Sequence, residues 1–265
     1  MQILFNHMEN KSKNLKIGIS VIMPALNEEE NIESAINDTL RAFEEYGIDG
    51  EIIVVNDGSS DMTEELARNI MKNNNHIKIL FHDSPKGMGA SFWDGVDSAD
   101  REFVVLLPGD GENDPKEIIR YYRLLEHTDI VVPFNFDKGV RTFFRNVVSA
   151  VYRFIINLTF LTNFNYTNGT IIYRKSILKE LNYRCSGFFF QTDILIRLVK
   201  KGYLFAQIPY RLNKRKEGVS KAISYRSLIG VIRGYLKLFN DCYLKRKIKN
   251  DGNFTPDSVT LKRRK

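Results

Sequence analysis

The chain has 265 residues, 43% hydrophobic and 12% aromatic, enough apolar mass to bury a core and to exclude wholesale disorder. Two cysteines, Cys185 and Cys242, exclude a disulfide framework and a Cys-rich metal site and suit a reducing compartment. The formal charge of +7 is uneven: residues 197–265 carry a net +15 and the remainder a net −8, so the C-terminal third is expected to meet something anionic.

No apolar run reaches the ~20 residues needed to span a bilayer. The first 16 residues contain His7, Glu9, Asn10 and Lys11 where a signal peptide would need an apolar core. The expected location is the cytoplasm, with the option of peripheral attachment to the inner face of the membrane.

In chain order, Ile17–Pro24 is a short apolar, β-branched run and reads as a buried strand. Ile32, Ala35, Ile36, Leu40 and Phe43 then recur at helical spacing up to Gly47. Glu51–Val55 is a second strand, and Asp61 with Glu64 three residues on predicts a capping box at the next helix. Ile77–Phe81, Phe103–Leu107 and Ile130–Pro133 read as further strands, and Pro115 suits the first turn of a helix. This alternation predicts βαβ crossovers and a mostly parallel sheet covered on both faces. Ligands of such sheets gather beyond the carboxyl ends of the strands. Three polar clusters follow strands: Ala25-Leu26-Asn27-Glu28, Asn56-Asp57-Gly58-Ser59 and Pro108-Gly109-Asp110-Gly111-Glu112. All three are expected to line one crevice.

Past Arg141 the character changes. Arg141, Arg145, Ser149, Arg153 and Asn157 form a narrow polar stripe on an otherwise apolar helix running to Phe160. Such a helix is either a core helix or an interfacial one. A second amphipathic helix, basic and aromatic-rich, is predicted over Ser220–Lys249, and Lys262-Arg263-Arg264-Lys265 ends a polar basic tail.

Individually the clusters are modest signals. Asp57 at a strand end beside Gly58 can accept from a nucleobase or a ribose, but it equally fits an ordinary turn. Asp110 and Glu112 offer hard oxygen donors suited to Mg²⁺ or Mn²⁺, whereas Asp114 before Pro115 reads as a helix cap. The segment RLNKRKEGVSK taken alone is a solvated basic turn.

Together, SVIMPALNEEENI, IIVVNDGSSDMT, the loop Pro85-Lys86-Gly87-Met88-Gly89 and LLPGDGENDP resemble a family 2 glycosyltransferase of the GT-A fold. TNGTIIYRKSIL, GFFFQTDILIRLVKKGY and RKEGVSK are similar to its dolichyl- and polyprenyl-phosphate sugar synthase branch. The resemblance covers roughly residues 17–221, which it marks as the transferase domain. Residues 1–16 then form an extension, 141–162 an amphipathic acceptor-side helix, 222–249 a basic helix and 250–265 the tail.

The resemblance implies a role for each matching residue. Pro24, Ala25, Asn27 and Glu28 would contact the donor nucleotide, Asp57 the base or ribose, and Lys86 and Gly87 would pack near the nucleotide. Asp110 matches the metal-binding aspartate and Glu112 replaces a glutamine that approaches the ion; Pro108 stands where the family has its first aspartate. Arg215, Ser220 and Lys221 match a phosphate-clamping segment, and Asp193 an acidic residue on the acceptor side. The implied reaction is an inverting, Mg²⁺- or Mn²⁺-dependent sugar transfer from a nucleotide diphosphate sugar to a polyprenyl phosphate, beside an anionic membrane surface. Asp193 would act as base only for a hydroxyl acceptor such as a glycan. Pro108 keeps open a catalytically silent nucleotide-sugar-binding partner protein. Nucleic acid is not expected, since the basic residues come without an RNA-binding aromatic signature or a zinc pattern.

Overall fold

The computed structural model describes residues 17–136, 143–211 and 225–265. Among these, seven strands form one sheet: β1 (Gly18–Ala25), β2 (Asp49–Asn56), β3 (Ile77–Phe81), β4 (Phe103–Leu106), β5 (Ile130–Asn135), β6 (Ile172–Arg174) and β7 (Phe205–Tyr210). The order is β3-β2-β1-β4-β6-β5-β7. β3, β2, β1 and β4 are mutually parallel, as are β5 and β7, while β6 runs antiparallel to both β4 and β5. The sheet is therefore mostly parallel, as the alternation predicts; β6 and β7 are strands the sequence pattern did not announce.

Every residue of β1 is buried, because the sheet is covered on both sides. One face packs against α1 (Ile32–Tyr46), α2 (Thr63–Lys72) and α4 (Pro115–Ile119) through Ile32, Ile36, Phe43, Ala67 and Ile118. The opposite face packs against α3 (Met88–Ser98), α5 (Phe143–Phe160) and α7 (Phe190–Lys201) through Phe92, Trp93, Phe160, Phe190 and Ile194. A short α6 (Lys175–Lys179) follows β6 directly.

Two helix ends depart from expectation. Asp61 does accept from the Thr63 N–H at 3.0 Å, but Glu64 bonds Asn56 and Arg68 rather than completing a capping box. The basic C-terminal helix is shorter than predicted: α8 spans Tyr225–Phe239, followed by a π-type turn over Asn240–Leu244, and residues 245–249 are not helical.

The end of the chain folds back onto the sheet. Fully buried Asp129, just before β5, accepts from the backbone N–H groups of Val259 (2.8 Å) and Thr260 (2.9 Å) and from Arg174 Nε (3.0 Å). It thereby holds the start of α9 (Val259–Arg264), with Val259 and Thr260 buried while residues 262–265 stay exposed. Removing one partner of a buried ion pair typically costs about 3–5 kcal/mol, because the other charge is left uncompensated. Asp129→Ala is therefore expected to lower the melting temperature markedly and to release the C-terminal helix, as read by thermal denaturation and by protease cleavage within residues 250–265.

Candidate active site

The parallel register aligns the ends of three adjacent strands. Ala25 of β1 pairs with Asn56 of β2, and Ile22 of β1 with Leu106 of β4, so the following loops emerge side by side. The chain after β4 keeps to β1 a little longer, with Leu107 N–H donating to Ile22 and Gly109 N–H to Pro24.

The first two loops are sewn together. Asn27 adopts a left-handed conformation (φ 54°) and its Oδ1 accepts from the Ser60 N–H at 2.8 Å. Its own N–H donates to Ser59 Oγ, and the Glu28 N–H donates to Thr63 Oγ1. Asn and Asp tolerate this conformation better than other residues with a Cβ, which accounts for Asn at that point of the motif. Asn27 and Glu28 thus shape the loop that follows Pro24 and Ala25, the buried last two residues of β1.

Asp57 joins the second loop to the one after β3. Its Oδ1 accepts from the Lys86 N–H at 2.8 Å and from His82 Nδ1 at 2.6 Å, and its Oδ2 from the Gly87 N–H at 2.9 Å. His82 is held from its far side by Asp94, Nε2 to Oδ2, at 2.8 Å. Lys86 and Gly87 therefore meet Asp57 through their backbones, and His82 and Asp94 complete an array that no motif marks. A histidine alone after a strand carries no such signal; only the fold brings it to Asp57.

Gly58 has φ +76°, and a Cβ there would lie 3.0 Å from the Ser84 backbone. Gly89 at the start of α3 is closer still to the chain before α7, where a Cβ would sit 2.6 Å from the carbonyl oxygens of Cys185 and Ser186. Gly58 and Gly89 are therefore positions of close backbone approach.

Asp110 and Glu112 follow β4, with the Glu112 N–H donating to Asp110 Oδ1 at 3.1 Å. Asp114 caps α4 by accepting from the Lys116 N–H at 2.9 Å, as its place before Pro115 predicts. No group of three or more His, Cys, Asp or Glu that could hold a metal occurs among the described residues. Two hard carboxylates on one loop suit Mg²⁺ or Mn²⁺, ions that keep most of their coordination for water and substrate phosphates, and do not suit a closed structural site.

Asp193 lies in the first turn of α7 and is fully buried. Its Oδ2 accepts from Arg197 Nε at 2.9 Å, and Arg197 Nη2 donates onward to Asp241 at 2.8 Å. Burial pushes the Asp193 carboxyl above the usual carboxylate range, against the pull of Arg197. For Asp241 burial acts the same way, but Arg197 and Lys237 win and hold it low. The structure thus joins Asp193 to the end of α8, and gives it no hydrogen bond to the loops that follow β1, β2 and β4. Arg215, Ser220 and Lys221 lie outside the described residues.

One signal passed over in the sequence concerns the start of β6. Because β6 is antiparallel to β4, with Val105 opposite Ile172, residues 167–171 sit at the carboxyl end of β4. Thr170 is buried there with an unpartnered hydroxyl, and Thr167 bonds Thr192 of α7. The run TNGT was legible as a motif but not as part of this end of the sheet.

The chain belongs to glycosyl transferase family 2, whose model matches residues 20–182. Over 217 residues it is 26% identical to the polyprenol monophosphomannose synthase of Mycolicibacterium smegmatis, covering 76% of this chain and 79% of that protein. It is also 28% identical over 167 residues to the dodecaprenyl-phosphate galacturonate synthase of Rhizobium johnstonii, covering 62% of this chain and 49% of that one. The match thus spans about half of the second relative. In fold it is similar to glucosyl-3-phosphoglycerate synthase of Mycobacterium tuberculosis, crystallised with Mg²⁺ and UDP, at a TM-score of 0.66 and 18% identity over 89% of this chain and 83% of that one. The fold is GT-A and the protein is a glycosyltransferase.

The contact between the loops after β2 and β3 is open to a direct check. Strain at a left-handed residue with a Cβ costs about 1–3 kcal/mol, and here a crowded backbone adds to it. Gly58→Ala is expected to lower stability by about that amount in chemical denaturation, whereas Gly111→Ala, whose Cβ would meet nothing within 4 Å, should cost less.

Proposed function

We propose that the chain transfers a sugar, with inversion, from a nucleotide diphosphate sugar to a polyprenyl phosphate at a membrane surface. Asp57, the end of β1 at Pro24 and Ala25, and the loops that contain Asn27, Glu28, Lys86 and Gly87 would seat the nucleoside. Asp110 and Glu112 would hold Mg²⁺ or Mn²⁺; when bound, the ion supplies positive charge to the departing diphosphate, the kind of electrostatic stabilisation that is usually the largest catalytic contribution. Arg215, Ser220 and Lys221 would close on the same phosphates, Arg as a fork and Lys as a point charge. A phosphate acceptor is already anionic, so no general base is required. Asp193, tied to Arg197 and buried, then stabilises the acceptor side without moving a proton.

The observation that carries the acceptor is the orientation of α5. Two of its stripe residues bond the chain that follows: Asn157 bonds the Phe164 backbone through both its Oδ1 and Nδ2, and Arg153 Nη1 donates to the Asn165 carbonyl. Ile156 and Phe160 enter the core, while Val151, Phe154, Ile155 and Leu158 face out, Phe154 being 66% exposed. A neighbouring helix repeats the pattern. α8 is joined to α5 through Thr159 Oγ1 and Tyr235 Oη at 2.8 Å, and it exposes Leu228, Ile232 and Leu236. Two adjoining helices that turn apolar side chains outward, one of them (α8) within a C-terminal third of net charge +15, have the two requirements of interfacial binding. Each such side chain contributes about 1–2 kcal/mol when it leaves water for acyl chains. No helix among the described residues is long and apolar enough to cross a membrane, so this face would lie in the interface plane.

The test is transfer from a nucleotide sugar to a polyprenyl phosphate held in anionic liposomes, with Mn²⁺. Turnover is expected, and Asp110→Asn should abolish it at unchanged melting temperature. The double variant Phe154→Ser with Leu236→Ser should stay folded yet cosediment with the liposomes at least about tenfold less. Turnover with a soluble hydroxyl acceptor but none with the lipid phosphate would overturn the acceptor assignment.

A further inference from the structure

The hydrogen bonds around Asp57 bear on which nucleobase the donor carries, an inference that rests on the donor-site reading above. A carboxylate offers about four acceptor positions, two on each oxygen. Oδ1 is filled by Lys86 N–H and His82 Nδ1, at 2.8 and 2.6 Å, and Oδ2 accepts the Gly87 N–H at 2.9 Å. One position remains, on Oδ2. Guanine presents N1–H and N2–H side by side and needs an acceptor on each oxygen. Uracil presents a single imide N–H. We infer that the chain selects a uridine donor over a guanosine one, and that His82 sets this choice by occupying the place on Asp57 that guanine's second N–H would need.

His82 is built to stay there. It is buried, its backbone N–H donates to the Asn56 carbonyl at 3.0 Å, and its Nε2 meets Asp94 Oδ2 at 2.8 Å. Its ring lies between two carboxylates, so turning away would give up its bond to Asp57 and its contact with Asp94. Asp94 is half exposed at the edge of the array, which makes it accessible to substitution without opening the core. His82 touches no donor atom in this account. It is a positioning residue that acts through Asp57.

The test is calorimetric titration of the full chain with UDP, GDP, CDP and ADP in the presence of Mn²⁺. UDP is expected to bind about tenfold or more tightly than GDP, because guanine's second N–H would be left without a partner. His82→Phe keeps a ring of similar bulk and frees one position on Oδ1, so the UDP:GDP ratio should collapse towards one through a gain in GDP affinity. If that variant does not fold, Asp94→Ala releases the far side of the ring and should move the ratio the same way, by less. A merely structural role for His82 would weaken both nucleotides together and leave the ratio fixed; that result would overturn the proposal. So would wild-type protein that binds GDP, CDP or ADP as tightly as UDP, although such a result leaves the donor-site reading standing. Binding of none of the four would overturn that reading and the base assignment with it.

Discussion

The carboxylate of Asp57 accepts hydrogen bonds from Lys86, Gly87 and His82, and through them fixes the loop after β3 against the loop after β2. It is nearly buried, so those bonds form where water competes poorly and an unmade bond is expensive. The loop after β2 is in turn sewn to the loop after β1 by Asn27, Ser59, Ser60 and Thr63. One side chain at a strand end therefore sets the relative position of three segments. The close approach at Gly58 follows from the same requirement, since the chain beyond β3 has to come near enough for its amides to reach Asp57.

The part of the molecule built around α5 and α8 follows a different logic. α5 and α8 bury only part of their apolar surface, while Arg153 and Asn157 tie α5 to the chain that follows it and Lys237 pairs with Asp241 at the end of α8. The ion pairs from Asp193 through Arg197 to Asp241 and Lys237 bind α7 to the end of α8. A buried network of this kind adds little net stability compared with apolar packing, but its partners are costly to separate. It therefore fixes α8 relative to the core, leaving the outer face of α8 to be shaped by what it meets.

The positions of β1 to β5, the parallel half of the sheet and the three loops that follow β1, β2 and β4 were legible because each depends on local pattern: short apolar runs, helical spacing, and polar clusters placed just after strands. The direction in which α5 faces was not. Its pattern fits a core helix or an interfacial one, and which side meets the protein follows from the bonds of Asn157 and Arg153 to residues 164 and 165 and from Ile156 and Phe160 in the core. Asp129 was missed because its partners, Val259 and Thr260, lie 130 and 131 residues further along the chain. His82 was missed for a similar reason: nothing next to it in sequence distinguishes it from any histidine after a strand. For Asp193 the family resemblance supplied a chemical role, while the fold supplied Arg197 as partner four residues along the same helix.

The account stands on the donor occupying the loops that Asp57 organises. Amide hydrogen exchange of the full chain, with and without UDP and Mn²⁺, addresses that most directly, because protection reports local opening segment by segment. Slowed exchange is expected in residues 25–31, 57–62, 82–89 and 107–112, with the largest effect around Lys86 and Gly87. A footprint confined to other parts of the chain, with these four segments unchanged at saturating nucleotide, would contradict the placement of the donor site.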